Sequence, residues 1–359
     1  MRTTGRRKPR DALGSRGASF LEYGVVLGLV GAVAIPTVLQ LGEELTDIFD
    51  KAAKTVALAS INIASSPYDP NAFVFEVSTA TGAIFPSAGG TIQIDWGDET
   101  ANSTCTTTYV IVPNNTLTCD YPEAGTYQIA ITGDMAGYGQ PYISDHKSRI
   151  TKMIQWGNTG LTDLSYALYG ANNVTSVPSN LPSSVQYIDE MFAYATALND
   201  PSISDWETQN VKTMPGVFRG ATSFNQPLGS WDISSVSTMM NLFRNATEFN
   251  QDISSWDVSN VENFTRIFRD AVRFDQDLSG WDVSSGVEFV GAFNGASNIA
   301  FDPSSWDVSS ATNLSHMFYL STNVYGDLSG WCVNNIPTRP EHFSTNTAIT
   351  VEPVWGTCP

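Results

Sequence analysis

The sequence predicts a multidomain protein with three parts: a long N-terminal α-helix, a small all-β domain, and a solenoid whose coils are 25 residues long. Three observations support this fold class. Residues 18–41 form an apolar run with a single formal charge, residues 71–133 contain short β-branched segments of alternating polarity, and from residue 206 tryptophan recurs every 25 residues. A fixed period indicates one structural unit per repeat, and each unit buries its apolar edge against the next.

The apolar run is long enough to cross a hydrocarbon core of about 30 Å as a helix. It follows a basic leader, residues 1–17, and precedes an acidic stretch, so the leader is expected to stay in the cytoplasm. The helix is expected to continue to residue 58, and a linker, residues 59–70, follows because serines and prolines end the helical pattern.

The start of the apolar run has two unusual features. The small-residue junction of Gly17 and Ala18 lies before the run, whereas a secretory signal peptide is cut after it. Glu22 is a carboxylate inside the run, which is costly unless the charge is paired. Cleavage after Gly17 would free the amine of Ala18 to pair with Glu22 of a neighbouring copy.

With Tyr23, these residues resemble the processing and assembly positions of type IVb (Flp/Tad-type) prepilins. In that family the cut follows Gly, the fifth mature residue is Glu, and Tyr comes next. The resemblance implies processing by a prepilin peptidase at Gly17 and Ala18, and filament assembly through Glu22 and Tyr23. The alternative is an ordinary single-pass membrane anchor.

Composition limits the partners and the compartment. The formal net charge of −18 argues against nucleic acid and anionic membrane surfaces as partners. Four cysteines permit three disulfide connectivities, which the sequence alone does not distinguish. We favour the local pairs, Cys105 with Cys119 and Cys332 with Cys358, because each pair lies within a different predicted domain.

The second part, residues 71–133, is predicted to be all-β. The motif from Asp95 to Asp98 and the segment 121–127 resemble a PKD-like β-sandwich, an immunoglobulin-like module, and a linker, residues 134–149, follows. Asp95 and Asp98 are weak candidates for a calcium site. The alternative is that both carboxylates accept turn hydrogen bonds.

The third part is the repeat solenoid, residues 150–331, with a disulfide-stapled cap, residues 332–359. The units around residues 249–252 and 278–284 resemble the 25-residue leucine-rich repeats of BspA-like surface proteins, which implies an extended face suited to binding. At Gly286 we expect a local bulge, since valine shifts to the next position. The predicted repeat core comprises Trp206, Trp231, Trp256, Trp281, Trp306 and Trp331, followed by Phe218, Phe243, Phe268, Phe293 and Phe318.

Few residues of the repeats suggest chemistry. Two series of aspartates recur with the coils, and we interpret each as capping a turn of its own coil rather than binding bridging cations. The three histidines, His146, His316 and His342, are interpreted as scattered residues without ligand partners at metal spacing. No catalytic arrangement is recognisable, so we predict neither an enzyme nor a cofactor, calcium excepted.

The resulting functional prediction is a pilin-like subunit that displays the repeats for adhesion to an extracellular protein, glycan or cell. Its partners would be prepilin peptidase and other pilin subunits. It would lie in the bacterial inner membrane as a precursor and then in a pilus on the cell surface. Two alternatives stay open: a structural major pilin coated by the solenoid, and a membrane-anchored surface receptor that never polymerises.

Overall fold

The structure is a computed structural model, and it describes residues 69, 71–84, 90–97, 108–111, 117–139, 147–157 and 160–359. These residues belong to one compact unit. The predicted leader and the helix of residues 18–58 lie outside them, and so do Gly17, Ala18, Glu22 and Tyr23.

The predicted fold class is wrong for the part of the chain that the structure describes, which contains strands, turns and coil but no α-helix. Its helical elements are three short 3-10 helices at Lys147–Arg149, Pro201–Asp205 and Pro303–Ser305. No helix among these residues has the length and apolar character to cross a membrane. This finding speaks against the predicted inner-membrane precursor for the described residues, whereas the segment predicted to cross the membrane lies outside them.

One antiparallel sheet replaces the predicted β-sandwich. Its strand order is β3-β2-β4-β1-β5, and all five strands join the same sheet. The fifth strand pairs along the free edge of the first, with Phe75 opposite Met153, although the sequence pattern assigned it to the repeats. The strands are β1 (Phe73–Ile84), β2 (Gly90–Asp95), β3 (Thr108–Ile111), β4 (Leu117–Gly133) and β5 (Ile150–Gln155).

The sheet needs no second sheet because aromatic residues from the following segment cover its inner face. Phe73 lies 4.5 Å from Tyr138 and 5.9 Å from Trp156, measured between ring centroids. Trp156 in turn contacts Trp206 edge-on at 6.1 Å. A single hydrophobic core therefore runs from the sheet into the first coils.

The coils are chains of tight turns rather than the regular parallel strands that a leucine-rich-repeat solenoid requires. Parallel pairing between coils is limited to single residues, such as Thr238 with Asn263 and Asn263 with Glu288. Only at the C-terminal end of the described chain do short parallel strands form, β6 (Tyr325–Asp327) and β7 (Ala348–Val351). The prediction of a leucine-rich-repeat solenoid is corrected accordingly.

Residues with a left-handed backbone conformation, that is with positive φ, explain why the coils do not form extended strands. Each coil has two positions with positive φ, four residues apart, as at Asn241 (60°) and Asn245 (59°). From the first of these positions to the second, every other backbone N–H donates to a carbonyl of the next coil. Asn241 N–H, for example, donates to the carbonyl of Thr265 at 2.8 Å. The intervening residues accept from the previous coil. This pattern satisfies the backbone without extended strands.

Each coil is also tied to the one before it through tryptophan. The indole Nε1–H of every repeat tryptophan donates to a carbonyl 28 residues earlier, at 2.8–3.2 Å. The predicted repeat-core tryptophans and phenylalanines are at most 4% exposed, and successive phenylalanine rings from Phe218 to Phe318 stack at 5.5–5.7 Å.

The coil at Gly286 keeps the common register, so the predicted bulge does not form. Gly286 N–H bonds to the carbonyl of Val283, as Val261 does to Val258 one coil earlier. The space of the missing valine is filled by Phe289, whose ring would lie 2.3 Å from a Cβ placed on Gly286.

The C-terminal disulfide joins Cys332 to Cys358 across 26 residues. Cys119 is buried and is also disulfide-bonded, whereas Cys105 lies outside the described residues.

Replacing Trp256 by alanine in the middle of the array should lower the free energy of unfolding by about 3–5 kcal/mol, because a large buried side chain is lost. The control Trp256→Phe keeps a ring but loses the indole hydrogen bond, and should cost less, about 1–2 kcal/mol. Urea unfolding followed by circular dichroism measures both. Equal stability of wild type and Trp256→Ala would contradict the buried role.

Leu320→Gly should destabilise the protein less than the same substitution at a residue with negative φ. Leu320 is 39% exposed and has a φ of 62°, a conformation that costs an L-residue about 1–2 kcal/mol of steric strain and glycine none, which offsets part of the lost packing and the added backbone entropy. The control Val272→Gly removes an equally exposed side chain at a residue without positive φ, and should lower the melting temperature. If both variants destabilise equally, the left-handed strain is absent.

Candidate functional site

Of the two predicted calcium candidates, the structure describes Asp95. Asp95 Oδ1 accepts a hydrogen bond from Gly97 N–H at 2.9 Å, which is the turn role that the sequence left as the alternative. Asp98 lies outside the described residues.

The aspartates of the repeats behave in the same way. In each case Oδ1 accepts from the backbone N–H two residues later, as Asp232 does from Ser234 at 3.0 Å. The hydroxyl and N–H of Ser234 hold the pKa of Asp232 below its usual value. These carboxylates are therefore occupied by their own turns and need no bridging cation. The other members are Asp252, Asp257, Asp277, Asp282, Asp302, Asp307 and Asp327.

The left-handed turns create a distinct surface, which we call the left-handed face. It consists of the first left-handed residue of each coil, the residue three positions later, and the second left-handed residue. The backbone bonds stack these positions in register from coil to coil: Tyr194 N–H donates to the carbonyl of Arg219, and Gly220 N–H to that of Arg244. The first left-handed residues of the successive coils are Tyr166, Glu190, Gly216, Asn241, Arg266, Gly291, His316 and His342.

One end of the left-handed face is aromatic. The guanidinium of Arg219 lies 5.0 Å from the ring centroid of Tyr194 and 5.9 Å from that of Tyr169. Arg219 also forms an ion pair with Glu190, yet burial raises the pKa of Glu190, so desolvation outweighs the attraction of the guanidinium. Gly220 is required here, since a Cβ would lie 2.7 Å from the Tyr194 ring.

The middle of the left-handed face is basic. Arg219, Arg244 and Arg269 occupy equivalent positions in three successive coils, and Arg266 lies one turn before Arg269. Burial, and then the positive charges of Arg269, Arg266 and Arg219, lower the pKa of Arg244. The guanidinium group of Arg244 is therefore close enough to the other three to be repelled by them.

Two of these arginines are paired and two are not. Arg219 pairs with Glu190, and Arg269 with Asp270 at 3.3 Å. Within the described residues, the side chains of Arg244 and Arg266 make no hydrogen bond or ion pair, and the buried Nε of Arg244 has no acceptor. Such groups are ready to bind an anion.

The far end of the face brings together two histidines that the sequence interpretation kept apart. His316 and His342 occupy the first left-handed position of adjacent coils, and their ring centroids are 5.1 Å apart. With Glu341 they form a group whose potential ligand atoms all lie within 4.8 Å of one another. His146 lies outside the described residues.

Sequence reasoning missed the left-handed face because it followed the apolar residues of each coil. The signal was nevertheless present: Arg219, Arg244 and Arg269 are 25 residues apart, and the two histidines are separated by 26, close to one period.

Comparison with known protein families finds a match for the repeats. No curated protein and no solved structure matches the chain. The family described as "Mycoplasma protein of unknown function, DUF285" matches twice, over residues 162–281 and 251–354, which together cover more than half of the chain. This is not a pilin family, which contradicts the predicted assignment of the chain to the pilins, whereas the predicted role in a filament stays a prediction. The chain belongs to the family of Mycoplasma proteins of unknown function, DUF285.

Proposed function

We propose that the repeat coils form a non-enzymatic binding module whose left-handed face holds an acidic glycan. The observation that carries the proposal is the cluster of Arg219, Arg244, Arg266 and Arg269 on a protein with a net charge of −18. Only six arginines follow residue 150, and four of them occupy this face.

Repulsion among the arginines favours an anionic ligand. Like charges in a partly buried cluster destabilise one another, and a bound carboxylate or sulfate relieves that repulsion. Guanidinium groups bind such anions through two parallel N–H donors. Arg244 and Arg266 are free to do so, since neither has an acidic partner among the described residues.

The tyrosines favour a sugar over a simple anion. Tyr169 and Tyr194 present their rings beside Arg219, and Tyr194 is 38% exposed. An exposed aromatic ring packs on the apolar face of a sugar while the hydroxyls stay in water. Coils stacked about 4.8 Å apart place the arginines of the next coils beyond these tyrosines, as an extended acidic chain of sugars requires.

The disulfides are consistent with such a role. Cys332–Cys358 and the bonded Cys119 indicate an oxidising compartment, where glycan ligands are accessible.

The double variant Arg244→Gln and Arg266→Gln should weaken heparin binding about tenfold or more, because two charged hydrogen-bonding groups are lost. Its stability should be unchanged or higher, since the repulsion is relieved. Surface plasmon resonance at two salt concentrations measures the affinity, and higher salt should reduce binding by the wild type.

The matched control is Lys212→Gln, which removes an exposed positive charge away from the left-handed face and should leave the affinity unchanged. Dextran tests whether the ligand has to be acidic, and poly-glutamate tests whether an acidic peptide is preferred. Binding of heparin and dextran with equal affinity, or of poly-glutamate in preference to heparin, would contradict the proposal.

A further inference from the structure

We propose that His316, Glu341 and His342 form a binding site for a divalent transition metal ion of the zinc class. The three residues come from two adjacent coils, and their potential ligand atoms lie within 4.8 Å of one another. No other group of this kind exists in the part of the chain that the structure describes.

The backbone brings the three residues together. His316 N–H donates to the carbonyl of Glu341 at 2.8 Å, which stacks the first left-handed residue of one coil on that of the next. Positive φ at both histidines, 58° and 50°, places their side chains in the same column of the left-handed face. The two imidazoles therefore start from neighbouring positions before any ion binds.

The contacts around the three residues hold the two imidazole rings close together. The ring of Tyr319 lies 4.9 Å from that of His342 and 5.9 Å from that of His316, so it packs against both imidazoles. Glu341 Oε1 lies 3.7 Å from His342 Nε2. The nearby Arg339 is engaged by Glu352 in a bidentate pair at 2.7 Å, so its charge is already compensated.

The donor set selects the kind of ion. Two imidazole nitrogens and one carboxylate suit zinc and its first-row neighbours, whereas calcium and magnesium require mostly oxygen ligands. With bonds of about 2.0–2.2 Å to one tetrahedral ion, ligand atoms lie about 3.4 Å apart. Closing from within 4.8 Å to that separation requires only side-chain rotation, which the exposed Glu341 and His342 permit. Water would complete the coordination.

Binding would lock the coil of His316 to the C-terminal segment. That segment already carries the disulfide Cys332–Cys358 and the ion pair of Arg339 with Glu352. A ligand that binds only the folded state raises its stability, so the metal would strengthen the C-terminal end of the described coils.

The test is calorimetric titration of ZnCl₂ into the full, tag-free, disulfide-intact chain after treatment with a chelator. One ion should bind per chain, the melting temperature should rise, and CaCl₂ should do neither. His316→Gln and His342→Gln should each weaken zinc binding about tenfold or more. Because these residues are partly or fully exposed, the variants should fold with unchanged melting temperature in the chelator.

The chain provides a matched control, because His146 is its one histidine outside the proposed site. His146→Gln should bind zinc like the wild type. The proposal is overturned if the wild type does not bind zinc, if either His316→Gln or His342→Gln retains full affinity, or if His146→Gln loses it.

Discussion

The fold of the repeats depends on one hydrogen bond that is made again in every coil, from the indole of a buried tryptophan to a carbonyl 28 residues earlier. At 2.8 Å for Trp256 and Leu228, it satisfies a polar group that the core would otherwise leave unpaired. It also fixes the distance and register between one coil and the previous one. With register fixed, the phenylalanine rings stack and the backbone of each left-handed turn finds its partner.

This constraint divides the coil surface into regions with different tasks. The turns after each tryptophan are closed by aspartates, and asparagine amides such as those of Asn225 and Asn250 accept backbone N–H groups from the next coil. These polar groups serve the scaffold. On the left-handed face the coils are joined mainly through backbone atoms, with the Arg219–Glu190 ion pair as an added side-chain link, so side chains such as Arg244, Arg266 and His316 are available for ligands.

Part of this arrangement could be predicted from the sequence. The 25-residue period located the buried tryptophans and phenylalanines, and the aspartates that recur with the coils were interpreted as capping turns rather than as cation sites. The single sheet could not be predicted, because strand pairing between Phe75 and Met153 spans residues with no local signal. Positive φ at Arg266 or His316 was equally hidden, since those residue types rarely adopt it, and the tertiary bonds between coils impose it.

The left-handed positions have a consequence for how such proteins diversify. Residues as different as Tyr166, Glu190, Arg266 and His316 occupy the same backbone position in different coils, and each bonds to the next coil through its main chain. A substitution there changes the surface chemistry of one coil at a cost of about 1–2 kcal/mol or less, while the scaffold stays the same. The ligand-binding surface can therefore change one coil at a time, within the limits set by contacts between neighbouring coils such as that of Gly220 with Tyr194.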